Sequence, residues 1–444
     1  MNGAASGEYR RVLRLALPII LSNVSVPLLG AVDTAVVGHL PGPQYLGAVA
    51  IGATVFSFLY WGFGFLRMAT TGFVAQAVGR RDGDELRAAI ARALVIGFAV
   101  SLALIAFQAP IGWAAFALFE ASREVEELAR IYFDVRIWGA PATLANYACL
   151  GALLGMQRVK AALLLQLWMN GLNIALDLLF VPVLGWGVWG VALATVIAEY
   201  AAVAVGLALV ARGVRPIAGR LTRNQVLAPE RLSGTLAVNR DIFIRTVCLI
   251  AAFALFTAEG ARMGDLTLAA NAVLMNFQTF MAYALDGFAQ AAEALIGAAV
   301  GSRDRAAFRA AVRASTVWAT VLAVAFAATY ALAGAVLIGV LTGLPEVRAL
   351  ALAFLPWAAL SPAISIWSFQ LDGIFIGATR GRDLRNAMLV SLAVYVAAVA
   401  TLVPPLGNHG LWLAFFVFMA TRAVTLALRY PALVRSLAGS PGIA

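Results

Sequence analysis

The sequence predicts an all-α integral membrane protein in which twelve transmembrane helices form two pseudo-symmetric six-helix lobes. The composition is the first reason, because 62% of the 444 residues are hydrophobic and only 12% are charged, whereas about 25% of the residues in soluble domains are charged. The second reason is that twelve long apolar runs follow one another along the chain. The third is that the second half of the sequence repeats the pattern of the first.

Short segments that contain Gly, Pro or Arg separate the twelve apolar runs. A helix needs about 20 mostly apolar residues to span a bilayer, and several of these runs are longer, so tilted or kinked helices are expected. The predicted spans are residues 12–39, 44–78, 88–118, 126–156, 160–184, 187–212, 241–263, 268–300, 308–342, 347–379, 384–406 and 409–433.

The net charge of +10 comes mainly from arginine, and the positions of the arginines indicate the membrane topology. They cluster in alternate loops, near positions 10, 80, 158, 215, 303 and 380, rather than in one basic patch, so no nucleic-acid partner is predicted. Loops rich in Lys and Arg stay on the cytoplasmic side of a membrane. We therefore predict a multi-pass protein of the cell inner membrane with both termini in the cytoplasm.

Several functional classes are disfavoured by what the sequence lacks. The two cysteines and the two histidines are far apart, so they form neither a disulfide scaffold nor a cluster of metal ligands. No loop carries a Walker motif, so ATP is not expected to supply the energy. No nucleophile stands beside a base, and neither an enzyme nor a bound cofactor is predicted. We expect a monomer that works within the lipid bilayer.

The two halves of the chain are related by one constant offset. Residues 46–82 match residues 268–304 without a gap, at a spacing of 222 (268 minus 46). The same spacing also pairs Gly151 with Gly373. A single gap-free offset across several spans indicates an internal duplication.

The duplication predicts the domain organisation. An N-lobe of residues 1–212 and a C-lobe of residues 241–444 would be joined by a cytoplasmic linker at residues 213–240, which contains Gly, Pro and Arg. Each lobe has an even number of spans, so both enter the membrane in the same sense and are related by an axis along the membrane normal. Two such lobes around a central cavity are typical of transporters that work by alternating access.

Two aspartates in the first half lie deep inside predicted spans. Asp33 and Asp177 are seven and eight residues from the outer ends of the first and fifth spans, which is about 11–12 Å at a rise of about 1.5 Å per residue. Thr195 of the sixth span lies at the same depth, and Asn173 shares the helix face of Asp177. A charge in hydrocarbon costs about 2.5–3.5 kcal/mol, so such residues are functional candidates.

These four side chains fit a site for a coupling ion. Carboxylate, amide and hydroxyl oxygens at one depth can take up a proton or coordinate Na⁺, and two neighbouring carboxylates favour protonation of one of them. At the offset of 222 the two aspartates face leucine and valine, so the pair exists only in the N-lobe. This favours a coupling function for the aspartates. The alternative that the side chains hold helices together stays open, above all for Asn173 and Thr195.

The C-lobe carries acidic, methionine and aromatic side chains within its own predicted spans. The candidates for a substrate cavity are Glu259, Asp286, Asp372, Met275, Phe280 and Met281. Sulfur and aromatic groups beside a carboxylate suit amphipathic cations, but helix packing is an equally open interpretation of Met275, Phe280 and Met281. For each acid singly, substrate contact or gating is the less favoured interpretation, although one of them is expected to face the cavity. Arg67, the only arginine expected near the middle of a span, could neutralise one of the acids.

Motifs along the whole chain are more specific than its composition. They are LPII…VDTAVVGHL, LRMATTGFVAQAVGRRD, NIALDLLFVPVLGWGVWGVALAT, NRDIFIRT and LDGIFIGATRGRDLRNAM. These motifs resemble the multidrug and toxic compound extrusion (MATE) family, in its DinF-like branch.

The resemblance implies a pair of lobes that form a V and export organic cations and other amphipathic drugs in exchange for H⁺ or Na⁺. It assigns the coupling ion to Asp33, Asn173, Asp177 and Thr195, and the bending of the first helix to Pro18. The DinF-like motifs favour H⁺. Another branch of the family binds its cation at acidic residues of the C-lobe, so the identity of the ion stays open, and Na⁺ would bind at the same four residues.

Two other kinds of transporter share parts of this pattern. A major-facilitator protein also has two six-span lobes, but the Asp33 and LDGIFIGATR motifs do not fit it. A flippase for lipid-linked precursors should carry several arginines for a pyrophosphate group, and only Arg67 is expected there. The function that we predict is a cation-coupled multidrug efflux antiporter for amphipathic, mostly cationic compounds.

Overall fold

The computed structural model describes residues 2–38, 40, 42–117 and 122–437. Within these ranges the regular secondary structure is helical and contains no strand. Among the described residues, ten stretches are long and apolar enough to cross a membrane. The two remaining predicted spans fall on α1 (Asn2–Val37) and α12 (Asp265–Gly301), which are 36 and 37 residues long. The prediction of an all-α membrane protein is confirmed.

The described part of the first half contains helices of very different lengths, because three of the predicted spans are interrupted. A break near Gly64 divides the second span, a turn at Phe107 divides the third, and a 3₁₀ turn at Ile137–Gly139 divides the fourth. The helices after α1 are α2 (Pro43–Gly62), α3 (Phe65–Arg80), α4 (Gly83–Ala106), α5 (Gln108–Phe116), α6 (Arg123–Arg136), α7 (Ala140–Gly155), α8 (Val159–Leu178), α9 (Gly187–Val214) and α10 (Arg223–Leu227).

The second half consists of long helices. They are α11 (Pro229–Arg262), α12 as given above, α13 (Arg305–Leu341), α14 (Pro345–Gly377), α15 (Gly381–Leu406) and α16 (Asn408–Ser436). Because α11 begins at Pro229, residues 229–240, which were assigned to the linker from the sequence, are helical.

The chain groups into two compact units. The N-terminal unit is Val24–Leu236, and the C-terminal unit combines Met1–Asn23 with Ala237–Ala444. Helix α1 therefore contributes its first part to the C-terminal unit, where the Nδ2 of Asn23 donates a hydrogen bond to the carbonyl of Tyr283 at 3.1 Å. The predicted lobe boundaries at 212 and 240 stay a prediction.

The backbone confirms the internal repeat. Among the described residues, four non-glycine residues have positive φ angles, and they form two pairs that are 222 positions apart. Arg81 and Arg303 have φ of 57° and 55°, while Gln157 and Thr379 have φ of 58° and 53°. A left-handed conformation is uncommon for such residues, so its recurrence at one offset indicates the same helix-ending geometry in both halves.

The close contacts between helices repeat at the same offset. A Cβ placed on Gly151 would lie 2.5 Å from the carbonyl oxygen of Arg67, and one on Gly373 would lie 2.5 Å from that of Ala289. Both pairs differ by 222 positions. Small residues allow membrane helices to approach to backbone contact, and α3 packs on α7 in the first half as α12 packs on α14 in the second.

Candidate ion-coupling site

One face of α8 carries a buried polar stripe in an otherwise apolar helix. Gln166, Asn170, Asn173 and Asp177 follow one another at intervals of four, three and four residues, so they share a face, and all four are buried. Gln166 donates to the Oδ1 of Asn170 at 3.0 Å, and Asn170 donates to the Oγ of Ser25 on α1 at 2.9 Å. The stripe therefore faces the second part of α1.

The carboxyl groups of Asp33 and Asp177 meet at the C-terminal end of this stripe. They lie within hydrogen-bonding reach of each other, and Asn173 donates to the Oδ2 of Asp177 at 2.7 Å. Asp177 has no exposed surface, and the Oδ1 atoms of both aspartates are buried without a protein donor. An ionised carboxylate can only accept hydrogen bonds, so a hydrogen bond between the two groups requires one shared proton.

The helix that carries Asp177 changes its geometry immediately after it. Leu179–Val183 form a π-helical turn, in which the N–H of Leu184 donates to the carbonyl of Leu179 at 3.0 Å. Pro182 lies inside this turn and has no N–H to donate. Turns of this kind occur frequently at functional sites, and here the turn ends the regular helix one residue beyond Asp177.

Thr195 is the predicted site residue that the structure connects least to the others. Its Oγ1 donates to the carbonyl of Val191, one turn earlier in α9, at 3.0 Å. Among the contacts of the described residues it has no hydrogen bond to Asp33 or Asp177. The structure thus brings together Asp33, Asn173 and Asp177 and leaves Thr195 bonded to its own helix.

A buried ion pair beside this site was missed in the sequence. Arg136 at the end of α6 forms a two-pronged contact with Glu199 on α9, at 2.9 and 2.6 Å. Thr143 donates to Glu199 at 2.8 Å, and the guanidinium of Arg136 lies over the rings of Phe56 and Tyr60, 5.4 and 5.3 Å from their centres. Glu199 inside a span was the signal, since a buried acid needs a cationic partner.

The ion pair and the aspartates form one electrostatic neighbourhood. Arg136 is close enough to Asp33 for a Coulomb interaction. The side chain of Tyr132, one turn before Arg136, lies within the same range of Arg136, Asp33, Glu199 and Asp177. The site therefore includes α6 and α9 as well as α1 and α8.

In the C-terminal unit, Asp372 is neutralised by two arginines. Arg422 donates to its Oδ2 at 2.7 Å, and Arg245 contacts the same oxygen. All three residues are buried. The expectation that Arg67 is the only mid-span arginine is wrong, because Arg136 and Arg422 also lie inside spans and Arg245 lies well within α11, which begins at Pro229.

The other C-terminal candidates have different environments. Glu259 pairs with Arg262 at 2.6 Å, and Asp286 is half-buried within Coulomb range of Arg422. On α12, Met275 is half-buried and Phe280 is 50% exposed, whereas Met281 is fully buried. Met281 is thus part of the packed core of its unit in this conformation. The substrate contacts of Met275 and Phe280 stay a prediction.

Comparisons with known proteins agree on one family. A family model described as MatE matches residues 18–179 and 242–402, and the two matches begin 224 residues apart (242 minus 18), close to the offset of the repeat. The DNA damage-inducible protein F of Escherichia coli (strain K12) is 44% identical over 415 residues, which cover 93% of this chain and 90% of that protein.

More distant relatives carry drug-resistance names. The multidrug resistance protein MdtK of Klebsiella pneumoniae (strain 342) is 27% identical over 442 residues, which cover 95% of each chain. The crystal structure of a MATE protein in the bent conformation superposes with a TM-score of 0.87 at 21% identity, covering 97% of both chains. At that identity the superposition shows the fold alone.

Proposed function

Because this chain belongs to the MATE family of membrane transporters, we propose that it is a proton-coupled multidrug efflux antiporter of the cell inner membrane. Family membership makes it a transporter rather than an enzyme and implies small-molecule drugs as substrates. Our proposal adds that the exported compounds are amphipathic and mostly cationic. It also adds that protons enter at the Asp33–Asp177 pair and that the lobes expose their binding surface alternately to the two sides.

The observation that carries the proposal is the contact between the buried carboxyl group of Asp177 and the half-buried one of Asp33. With one proton they share a hydrogen bond, whereas without it two negative charges repel each other in a medium of low dielectric constant. Loss of the proton would therefore push α1 away from α8, and binding of the proton would allow them to approach. Pro18 interrupts the hydrogen-bond ladder of α1, so we propose that α1 bends there during the cycle.

The same pair explains exchange with cationic drugs. A deprotonated pair attracts an organic cation through Coulomb energy, and a protonated pair loses most of that attraction. Proton binding and cation binding would then exclude each other, which is the requirement for antiport. Neutral amphipathic compounds would be exported through the movement of α1 alone.

The orientation of Asn173 favours H⁺ over Na⁺. Its amide nitrogen, rather than its oxygen, points at Asp177, and Na⁺ would need oxygen ligands. In a sodium site we would expect the amide oxygen to turn towards the ion, together with the hydroxyl oxygen of Thr195. The orientation of the Asn173 amide is set by its hydrogen bonds. The acceptor on this side is the carboxylate of Asp177, so the amide nitrogen faces it.

The proposal is tested with the purified protein in proteoliposomes. Efflux of a fluorescent organic cation is measured with a pH gradient in the absence of Na⁺ and, separately, with an inward Na⁺ gradient at equal pH. We expect efflux with the pH gradient only, and its loss when a protonophore collapses that gradient. Efflux that follows the Na⁺ gradient at equal pH would refute proton coupling.

A further inference from the structure

The chain that joins the two units is fastened to the N-terminal part of α4. We propose that residues 214–232 stay fastened there throughout transport and move as part of the N-terminal unit, and that the chain bends instead within α11, at residues 233–235. The inference rests on the function proposed above only in that transport requires the two units to move. It assigns a mechanical function to a segment that the sequence predicted only as a linker.

Two arginines of α4 hold the backbone of this segment. The guanidinium of Arg87 donates to the carbonyls of Ile217 at 2.7 Å and Val214 at 3.3 Å. Arg92, which is buried, donates to the carbonyl of Gln225 at 2.9 Å. Carbonyls in loops and at helix ends lack partners in regular secondary structure, so the two arginines supply hydrogen bonds that the segment does not make by itself.

Asp84, in the first turn of α4, binds the same segment through both of its oxygens. Its Oδ1 accepts a hydrogen bond from the backbone N–H of Arg220 at 2.6 Å, and its Oδ2 accepts one from the Nε2 of Gln225 at 3.2 Å. The two backbones lie directly against each other, because a Cβ on Gly83 would overlap the carbonyl oxygen of Ala218. Only a glycine permits this approach.

Glu85 extends the contacts to the beginning of α11. It pairs with the buried Arg92 of its own helix and with Arg231, the third residue of α11. Ion pairs that are partly buried are screened less by salt than exposed ones. The first turn of α11 is therefore tied to the same part of α4 as the rest of the segment, and we call the four residues Asp84, Glu85, Arg87 and Arg92 the clasp.

Beyond the clasp, α11 has a weak point where it leaves the N-terminal unit. The boundary between the units follows Leu236, and Ser233, Gly234 and Thr235 come just before it. The two hydroxyl groups donate to backbone carbonyls about one turn earlier, at 3.0 and 2.8 Å, and both such bonds and Gly/Ser pairs favour bending of a helix. Among the described residues, no atom outside the helix backbone lies within 4 Å of a Cβ on Gly234, so packing does not restrain this turn.

The first experiment fastens the clasp covalently in proteoliposomes. Asp84→Cys and Gln225→Cys are combined and joined with dibromobimane, which becomes fluorescent when it has linked two thiols. We expect the joined protein to keep the efflux rate of the untreated variant, whereas a bend within the linker would require the clasp to open. The native Cys149 and Cys248 are buried, and the two single-cysteine variants are treated as controls. Loss of efflux in the joined protein alone, or failure of the reagent to join the pair, would overturn the inference.

The second experiment stiffens the proposed bend. Gly234→Ala introduces no clash and stabilises the helix, so we expect efflux to fall about fivefold. Gly7→Ala is the matched control, since Gly7 is an exposed helical glycine with nothing within 4 Å of a Cβ, and it should keep the wild-type rate. Elution from a size-exclusion column in detergent verifies folding. Wild-type efflux by Gly234→Ala would refute the bend at this position.

Limited proteolysis tests the clasp independently of transport. Trypsin cleaves after arginine, and Arg220 and Arg223 are exposed in the fastened segment. Asp84→Ala removes two hydrogen bonds to this segment, so we expect severalfold faster cleavage there than in the wild type, whereas Glu230→Ala, an exposed acid outside the clasp, should change nothing. Equal cleavage of Asp84→Ala and the wild type would overturn the clasp. Efflux driven by Na⁺ alone would refute the proposed proton coupling and leave these comparisons valid, since each is made under the gradient that drives the wild type.

Discussion

The two units each bury an aspartate within a long helix, but the partners of the two aspartates are opposite in charge. Asp177 of the N-terminal unit faces a second carboxyl group and an amide, whereas Asp372 of the C-terminal unit faces two guanidinium groups. A proton can bridge the two carboxyl groups of the first arrangement, since it relieves the repulsion between their negative charges. The second arrangement keeps its aspartate charged, because two cations stabilise the negative form.

The comparison teaches that burial of an acid inside a membrane helix does not by itself indicate an ion site. Asp33, Asp177 and Asp372 were all candidates from the sequence for the same reason, namely that a charge in hydrocarbon is costly. In the structure Asp372 meets two arginines, whereas Asp177 meets the carboxyl group of Asp33 and the amide of Asn173. The partner of the acid therefore distinguishes a coupling site from a fixed ionic network.

The largest effect should come from neutralising the carboxyl pair. We expect Asp33→Asn to abolish proton-driven efflux while the protein still inserts and elutes as a single species, because an amide cannot bind and release a proton. Asp265→Asn is the matched control, since Asp265 lies exposed in the first turn of α12. Wild-type efflux by Asp33→Asn would show that the pair is not the coupling site.

Neutralising Asp372 should instead destabilise the C-terminal unit. Asp372→Asn leaves Arg245 and Arg422 buried without their counter-ion, a change that costs about 3–5 kcal/mol in buried ion pairs. We expect a lower melting temperature of the purified protein, and an equal loss of efflux for cationic and neutral drugs. A stable variant that loses only the cationic drugs would mean that Asp372 binds substrate.

The membrane spans and the proximity of Asp33 to Asp177 could be predicted from the sequence because both depend on local spacing. Hydrophobic length indicates the spans, and counting residues from the outer ends put Asp33 and Asp177 at one depth. The ionic networks could not be predicted in this way. Asp372 on α14 meets arginines from α11 and α16, and Glu199 on α9 meets Arg136 on α6. Which helices pack together is a property of the tertiary structure that spacing along the chain does not contain.

The repeated glycine contacts allow a matched test of the two units. Gly151→Ala and Gly373→Ala each introduce a methyl group 2.5 Å from a backbone oxygen of the neighbouring helix, and overpacking of this kind costs about 1–3 kcal/mol. We expect similar decreases in melting temperature for both variants. Gly171→Ala is the control, because nothing lies within 4 Å of a Cβ there. Destabilisation in one unit only would contradict equivalent packing of the two repeats.

The smallest effect on efflux is expected for Thr195→Val. This variant also helps to distinguish H⁺ from Na⁺ as the coupling ion. Because its hydroxyl donates to the carbonyl of Val191 in its own helix, Thr195→Val should keep proton-driven efflux within about threefold of the wild-type rate. Asn173→Leu should have a larger effect, since it removes the donor to Asp177 and so favours the protonated pair, which moves the pH dependence of efflux to higher pH. In a sodium site both residues would supply oxygens, and both variants should lose ion dependence to a similar extent. Measuring the two variants side by side, with and without Na⁺, therefore separates a proton held by carboxyl groups from a cation held by four oxygens, and a sharp loss in Thr195→Val would favour the latter.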